Sequence, residues 1–447
     1  MIRIGNGQGF WGDSIDAPIR ILREGPIDYI TLDYLAEVTM SIMQKQKMKR
    51  PHAGYATDFV KYIDEVLPEL VERKVKVIAN AGGVNPRACR DAILESARKQ
   101  GISGLKVGIV EGDDILHRLD EFKALGEKLS NMDTGESLFD RERRILSANV
   151  YMPTDGIVEA LDKGAQIVIT GRSTDPGLVL GPIIHEMKWR SNDELALGTV
   201  AGHILECGAQ CTGGNFTNWR AVPDMVRIGY PIAEVHEDRS LVITKHEGTG
   251  GLVSVDTVSE QLVYEMGNPE QYITPDCIAD FTSIKLTQDG KNRVRVSGVR
   301  GKDRTPTLKV SISYLDGYKA TGQLTISGPD ALAKAEKCAD VLWARLKHAG
   351  MTYEETHTEF LGSGVCHEGI VPKASQAPEI VLRVGVKDHD KGKVDRFGKE
   401  IAPLVTSGPP GVTGFAGGRP KAQEIVAYWP ALIPRELIQT QVTVTEV

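Results

Sequence analysis

"IVITGRSTDP", Ile167–Pro176, decides the fold. Its first four residues, Ile167–Thr170, are apolar or β-branched and read as a short strand buried on both faces. Gly171–Thr174 then turn tightly, with a single cation, Arg172, among small residues. Asp175-Pro176 reads as a helix start. Asp is a favoured N-cap, and proline fits the first helical position because its missing N–H is not needed there. "VIANAGGVNP", Val77–Pro86, repeats this grammar with Asn85-Pro86 at the helix start. A chain that passes twice from buried strand through glycine loop into helix builds a parallel sheet covered by helices.

Working outward, the spacing predicts further strands at Ile2–Gly5, Tyr29–Asp33, Leu105–Val110 and Leu146–Tyr151. Amphipathic stretches lie between them. In Thr57–Arg73, Phe59, Ile63, Val66, Leu67 and Leu70 recur at helical spacing, and Pro68 predicts a kink or a split. After about Arg220 the pattern changes. Asp289-Gly290 and Asp316-Gly317 each sit between apolar alternating runs and read as hairpin turns. A helix is predicted over Asp330–His348, ended by Gly350, with strands near Glu379–Val386 and Gln441–Val447. The expected fold class is therefore α/β: an N-terminal, mostly parallel sheet with flanking helices (residues 1–220), plus a C-terminal mixed α+β domain with hairpins (residues 221–447). The second domain also holds a Gly/Pro-rich loop, "TSGPPGVTGFAGGRP", Thr406–Pro420.

The bulk numbers narrow the function classes. Lys and Arg total 53 against 60 Asp and Glu, so the net charge of −7 argues against a nucleic-acid or membrane partner. No apolar run approaches the ~18–20 residues that span a bilayer. The six cysteines are sparse and form no CxxC pair, and "MIRIGNGQGFWGD" lacks a signal-peptide pattern, so a cytoplasmic protein with reduced thiols is expected.

Ligands of open parallel sheets bind beyond the carboxyl ends of the strands. The loops there supply the candidate substrate-binding residues: Asn6 in "GNGQG", Asn80, Gly82 and Gly83 in "NAGG", and Arg172 and Ser173 in "TGRST". "KHEGTGG", Lys245–Gly251, reads as a further cradle for a phosphate or carboxylate through Lys245, Thr249, Gly250 and Gly251. Acid–base candidates are Asp33, Asp175, His203 and Glu206. Asp33 ends its strand, with Glu37 four residues on; His203 and Glu206 are three apart on one helical stretch.

Two motifs compete with this reading. Gly7-Gln8-Gly9-Phe10-Trp11-Gly12 matches the dinucleotide fingerprint, with Asp33 at about the right distance. Against it, Phe10 and Trp11 are bulky where a pyrophosphate lies, and Asp13 adds negative charge. His203, Cys207 and Cys211 repeat at four-residue spacing, but no second ligand cluster accompanies them, so no metal site is predicted.

Several blocks together resemble the acyclic terpene utilisation (AtuA) family. They are "GDSIDAPIRILREGPIDYITLDYLAE" (Gly12–Glu37), "NAGGVNP", "TGRSTDPGLVLGP" (Thr170–Pro182), "GHILECGAQCTGGNF" (Gly202–Phe216), "GYPIAEV" (Gly229–Val235), "TKHEGTGGLVSVDTVSEQLVYE" (Thr244–Glu265) and "TLKVSISYLDGY" (Thr307–Tyr318). Some members carry a further small ferredoxin-like domain at the C-terminus, and this chain is expected to end without it. The resemblance implies bacterial breakdown of acyclic terpenes, in which substrates are carried as branched CoA thioesters. It assigns no catalytic residue.

The expected function is a catabolic enzyme acting on a branched acyl-CoA or small carboxylate by hydration, dehydration or C–C lysis. No cofactor is expected, CoA serving as substrate carrier. The expected partner is a small-molecule substrate, with the chain itself in a homo-oligomer. The alternatives are a dinucleotide-dependent oxidoreductase and a non-enzymatic binding subunit of a catabolic complex.

Overall fold

The structure, a computed structural model, describes residues 1–414 and 417–447; the Glu37 side chain and two residues of the Thr406–Pro420 loop lie outside the described residues. The chain divides into two compact units, Met1–Ser313 with Tyr428–Val447, and Tyr314–Ala427.

The first unit is built on a ten-stranded sheet. Its centre runs Ile2–Gln8, Tyr29–Leu32, Lys76–Ala79, Ile167–Thr170, Lys106–Glu111, all parallel. Antiparallel strands extend it on both sides. Ile232–Val235, Leu241–Thr244, Val294–Ser297 and Lys285–Gln288 follow beyond Ile2–Gln8, and Gln441–Glu446 pairs with Lys106–Glu111.

Alternation along the strands explains the helices on both faces. Ile30, Leu32, Val77, Ala79, Ile167 and Ile169 pack toward one face, against Ala17–Arg23, Thr57–Arg73 and Pro86–Lys99. Tyr29, Ile78 and Val168 pack toward the other, against Asp155–Asp162, Gly177–Met187 and Asn192–Leu205. Fully burying Ile167, Val168 and Ile169 stabilises by roughly 1.5–3 kcal/mol each. That burial, rather than local propensity, holds so short a strand in place.

Several sequence expectations are corrected. Thr57–Arg73 is one continuous helix despite Pro68. Proline cannot donate to the Asp64 carbonyl one turn back, and Gln100 Nε2 donates to that oxygen instead, at 2.8 Å. Leu146–Tyr151 forms a strand, Ile145–Val150, but outside the parallel sheet, paired to Thr307–Ser327. The Asp289-Gly290 hairpin forms. The Asp316-Gly317 hairpin does not: Thr307–Ser327 is one long strand that runs through both residues. Pairing with separate partners overrides the turn signal, since Tyr318–Ser327 lies antiparallel to Glu379–Asp388 and Lys309 O accepts from Tyr151 N at 3.0 Å. The strands from Ile232 to Ser297 join the same sheet as the N-terminal ones, within the unit Met1–Ser313 with Tyr428–Val447.

The second unit runs strand, helix, strand, strand, helix, strand. The helices Ala331–His348 and Lys391–Ile401 bury Leu332, Leu342, Val394 and Phe397 against Leu324, Ile326, Leu382 and Val384 of the sheet. The sheet order is Glu355–Leu361, Glu379–Asp388, Thr307–Ser327, Gln423–Pro434. This is a ferredoxin-like order. Among the described residues, no helix is long and apolar enough to cross a membrane.

Candidate functional site

The two opening loops do not cap helices as expected. Asn85 turns its Nδ2 to the carbonyls of Pro51 and Ala53, at 2.9 and 2.8 Å. Asp175 turns back on its own loop and accepts from Arg172 Nη1 at 2.7 Å. The helix it precedes starts at Gly177. Proline's fixed backbone still sets each helix start, while the Asx side chains are released for other work.

Arg172 is 2 % exposed and tightly held. Its Nη1 also donates to Leu35 O at 2.7 Å, and its guanidinium lies 4.3 Å from the centre of the Tyr151 ring. Its backbone N–H donates to Asp113 Oδ2 at 2.8 Å, and Asn149 Nδ2 donates to the same oxygen at 2.8 Å. Gly171 is required here, because a Cβ would overlap the Asp113 carboxylate. Arg172 Nε is buried with no partner. Burial opposes the Arg172 charge, but Asp175, Tyr151 and Asp33 outweigh it and hold the guanidinium charged.

Asp33 follows the neighbouring strand. Its Oδ1 accepts from Asn80 Nδ2 at 2.6 Å, and Asn80 Oδ1 in turn accepts from Tyr34 N at 2.6 Å. Burial and then Asp175 push the Asp33 carboxyl well up, against the lowering pull of Arg172 and Asn80; Glu206 adds to the rise. Burial also lifts Asp113 to about 7.

The third component comes from the end of Asn192–Leu205. Gly202 lets this helix touch the Pro176 backbone, where any side chain would overlap. His203 and Glu206 are thereby brought beside Asp175. His203 Nδ1 lies 3.0 Å from Glu206 Oε1 and 3.3 Å from the Tyr272 hydroxyl, and its Nε2 lies 3.1 Å from Gln261 O. Burial pulls the His203 imidazole down, but the hydrogen bond and charge of Glu206 together with the backbone contacts at Gln261 and Leu262 more than offset it and raise it. Burial pushes Glu206 up, its Oε2 has no partner, and Asp175 reinforces the rise. Asp33, Asn80, Arg172, Asp175, His203, Glu206 and Tyr272 thus form one largely buried cluster with more acids than bases, in which the Asp175 side chain is 33 % exposed.

Beside it lies a cavity of about 330 Å³ whose lining includes Tyr151, Asp175, Tyr272, Leu308, Lys309 and Leu432. Asp175 and Tyr272 belong to both the cavity wall and the cluster. Asp113, Tyr151 and Tyr272 were not singled out from sequence. Asp113 lies in a strand-end loop, "VEGDD", where a search for buried acids would find it; Tyr272 comes from a distant two-residue strand, Tyr272–Ile273, too short for periodicity to mark it.

The other candidates are elsewhere or already engaged. Gly82 N donates to Thr170 O at 3.0 Å and Gly83 N to Asn80 O at 3.4 Å. Ser173 Oγ lies 3.2 Å from Thr170 Oγ1. Asn6 Oδ1 accepts from Gln8 N at 3.1 Å. In "KHEGTGG", Gly250 N donates to Arg227 O and Gly251 N to Pro223 O, each at 2.8 Å, so their amides are spent on packing. Lys245 and Thr249 line a separate groove. In the dinucleotide-like loop, Asp13 Oδ2 takes the Gly9 N–H at 2.9 Å. Cys211 is buried in the core, and among the described residues no group of three His, Cys, Asp or Glu is placed to hold a metal ion.

A doubly wound α/β unit, with a buried acid–base cluster at its strand ends, is the class that fold and site define. The model of the acyclic terpene utilisation family protein AtuA matches residues 2–444, and the chain belongs to that family. No curated protein and no solved structure matches it.

Proposed function

We propose that the protein is a catabolic enzyme of acyclic terpene utilisation, acting on a branched acyl-CoA or small carboxylate by hydration, dehydration or C–C lysis. Family membership supports the pathway class. The observation that carries the chemistry is the double placement of Asp175, on the wall of a largely apolar cavity and within the acid–base cluster. Tyr151, Leu308 and Leu432 suit a branched hydrocarbon, and Lys309 supplies a cation for a carboxylate or thioester carbonyl. In a hydration, Asp175 takes a proton from water as the C–O bond forms. A protonated group of the cluster then delivers a proton to the adjacent carbon. Dehydration is the reverse.

The Asp13 carboxylate on Gly9 leaves no amide there for a pyrophosphate, so no observation favours the dinucleotide reading. Calorimetry with branched acyl-CoA thioesters and free branched acids tests the proposal. Saturable binding of either class, with turnover lost in Asp175→Asn and binding retained, supports it. Absence of binding by both classes overturns it.

A further inference from the structure

A second concavity, about 830 Å³, lies on the first unit and shares no lining residue with the cavity at Asp175. It is assembled from three places in the sheet. Ile2–Gln8 brings Arg3, its antiparallel neighbour Ile232–Val235 brings Glu234, and the turns after Leu241–Thr244 and before Val294–Ser297 bring Lys245, Lys291 and Arg293.

The charges here do not balance. Glu234 is shared by two arginines, 2.7 Å from Arg3 Nη1 and 2.6 Å from Arg293 Nη2. Glu24 faces Arg20 at 3.2 Å and Arg227 at 3.5 Å, neither of which lines the groove. Lys245 is 6 % exposed, yet its ammonium meets only neutral acceptors, Thr249 O at 2.7 Å and Thr249 Oγ1 at 3.2 Å. Lys291 crowds it with like charge. Arg3 Nε is buried with no partner. Glu247 at the rim is exposed. In an acidic protein, a pocket holding a surplus of fixed cations with unspent donors is complementary to an anion.

We propose that this groove is a binding site for a phosphorylated ligand, its phosphates lying among Lys245, Lys291 and Arg293. The volume is within the roughly 300–1,000 Å³ of small-molecule sites and suits a nucleoside diphosphate group better than a lone phosphate. Free nucleotides and CoA both carry that group.

Calorimetry on the full chain with phosphate, pyrophosphate, ADP and CoA, and with adenosine as the uncharged control, tests it. Pyrophosphate, ADP and CoA are expected to bind saturably, more weakly as salt rises, and adenosine not to bind. Binding by ADP and CoA alike assigns the shared diphosphate; tighter CoA binding assigns the carrier. The double substitution Lys291→Gln with Arg293→Gln, at an exposed and a half-buried turn residue, is expected to weaken binding at least about tenfold, with a cooperative melting transition as the check that the variant is folded. No saturable binding of pyrophosphate, ADP or CoA overturns the proposal, as does unchanged affinity in the double variant. Asp175→Asn leaves this binding intact, so the groove and the acid–base reading stand or fall separately.

Discussion

Arg172 Nη1 sits 2.7 Å from Asp175 Oδ1, three residues along the same loop. That pairing turns the cation inward. With Leu35 O and the Tyr151 ring completing its surroundings, Arg172 fixes the electrostatics of the cluster rather than reaching out to a substrate.

Replacing Arg172 should therefore damage folding before it damages binding. Arg172→Gln removes the cation facing Asp33 and Asp175 and leaves Leu35 O without its donor, a loss of about 1–3 kcal/mol. Arg172→Lys keeps the charge but not the planar fork, and should fall between the two. Urea denaturation of the three proteins checks the order; equal midpoints would contradict it.

Asp113 predicts a pH dependence of definite sign. Its folded value is raised to about 7 by burial, while the unfolded value is the ordinary carboxylate one. Between those values the folded state binds more protons, so stability falls as pH rises from about 4 to about 7. Above the folded value the penalty is complete. Asp113→Asn, which stays neutral, should show a flatter profile across that window. Denaturation midpoints at closely spaced pH values, compared between the two proteins, read this out. Parallel profiles would count against it.

Tyr272 should matter to turnover more than to folding. Its hydroxyl, 3.3 Å from His203 Nδ1, joins the cavity to the buried His203–Glu206 pair. Tyr272→Phe keeps the ring contacts with His203 and Phe281. The expected stability change is within about 1.5 kcal/mol. The pH profile of turnover is expected to shift, because the imidazole loses a hydrogen-bond partner. An unchanged profile would remove Tyr272 from the proton route.

Gly171→Ala places a methyl group against the Asp113 carboxylate, which Arg172 N and Asn149 hold in position. The expected loss is about 1–3 kcal/mol. Calorimetric melting, with Gly267→Ala as the control, where an added methyl group meets nothing and the backbone is likewise outside the left-handed region, isolates the crowding.

The five central strands were legible because burial on both faces leaves continuous apolar runs, as in "IVIT" and "KVIA". The place where Asp33, Asn80 and Arg172 meet was legible for the same reason, since all three follow parallel strands. Partners recruited from far along the chain were not. Nothing near Asp316-Gly317 announces that its two flanks pair with different strands, and nothing near Tyr272 announces His203. In "KHEGTGG" the sequence could not separate the roles of the glycines, because glycine serves close packing and ligand approach alike. A Cβ on Gly250 would overlap Asp224 O, which only the folded chain reveals.

The strand Gln441–Glu446 closes the edge left by Lys106–Glu111, yet more than three hundred residues are synthesised between them. On the ribosome, the long sheet must therefore wait with one margin unpaired while Tyr314–Ala427, whose own core is complete, is free to fold first. Chains cut or stalled before Gln441 would expose that margin as a template for sticking to one another. The presence of Gln441–Glu446 thus becomes a condition for staying dispersed.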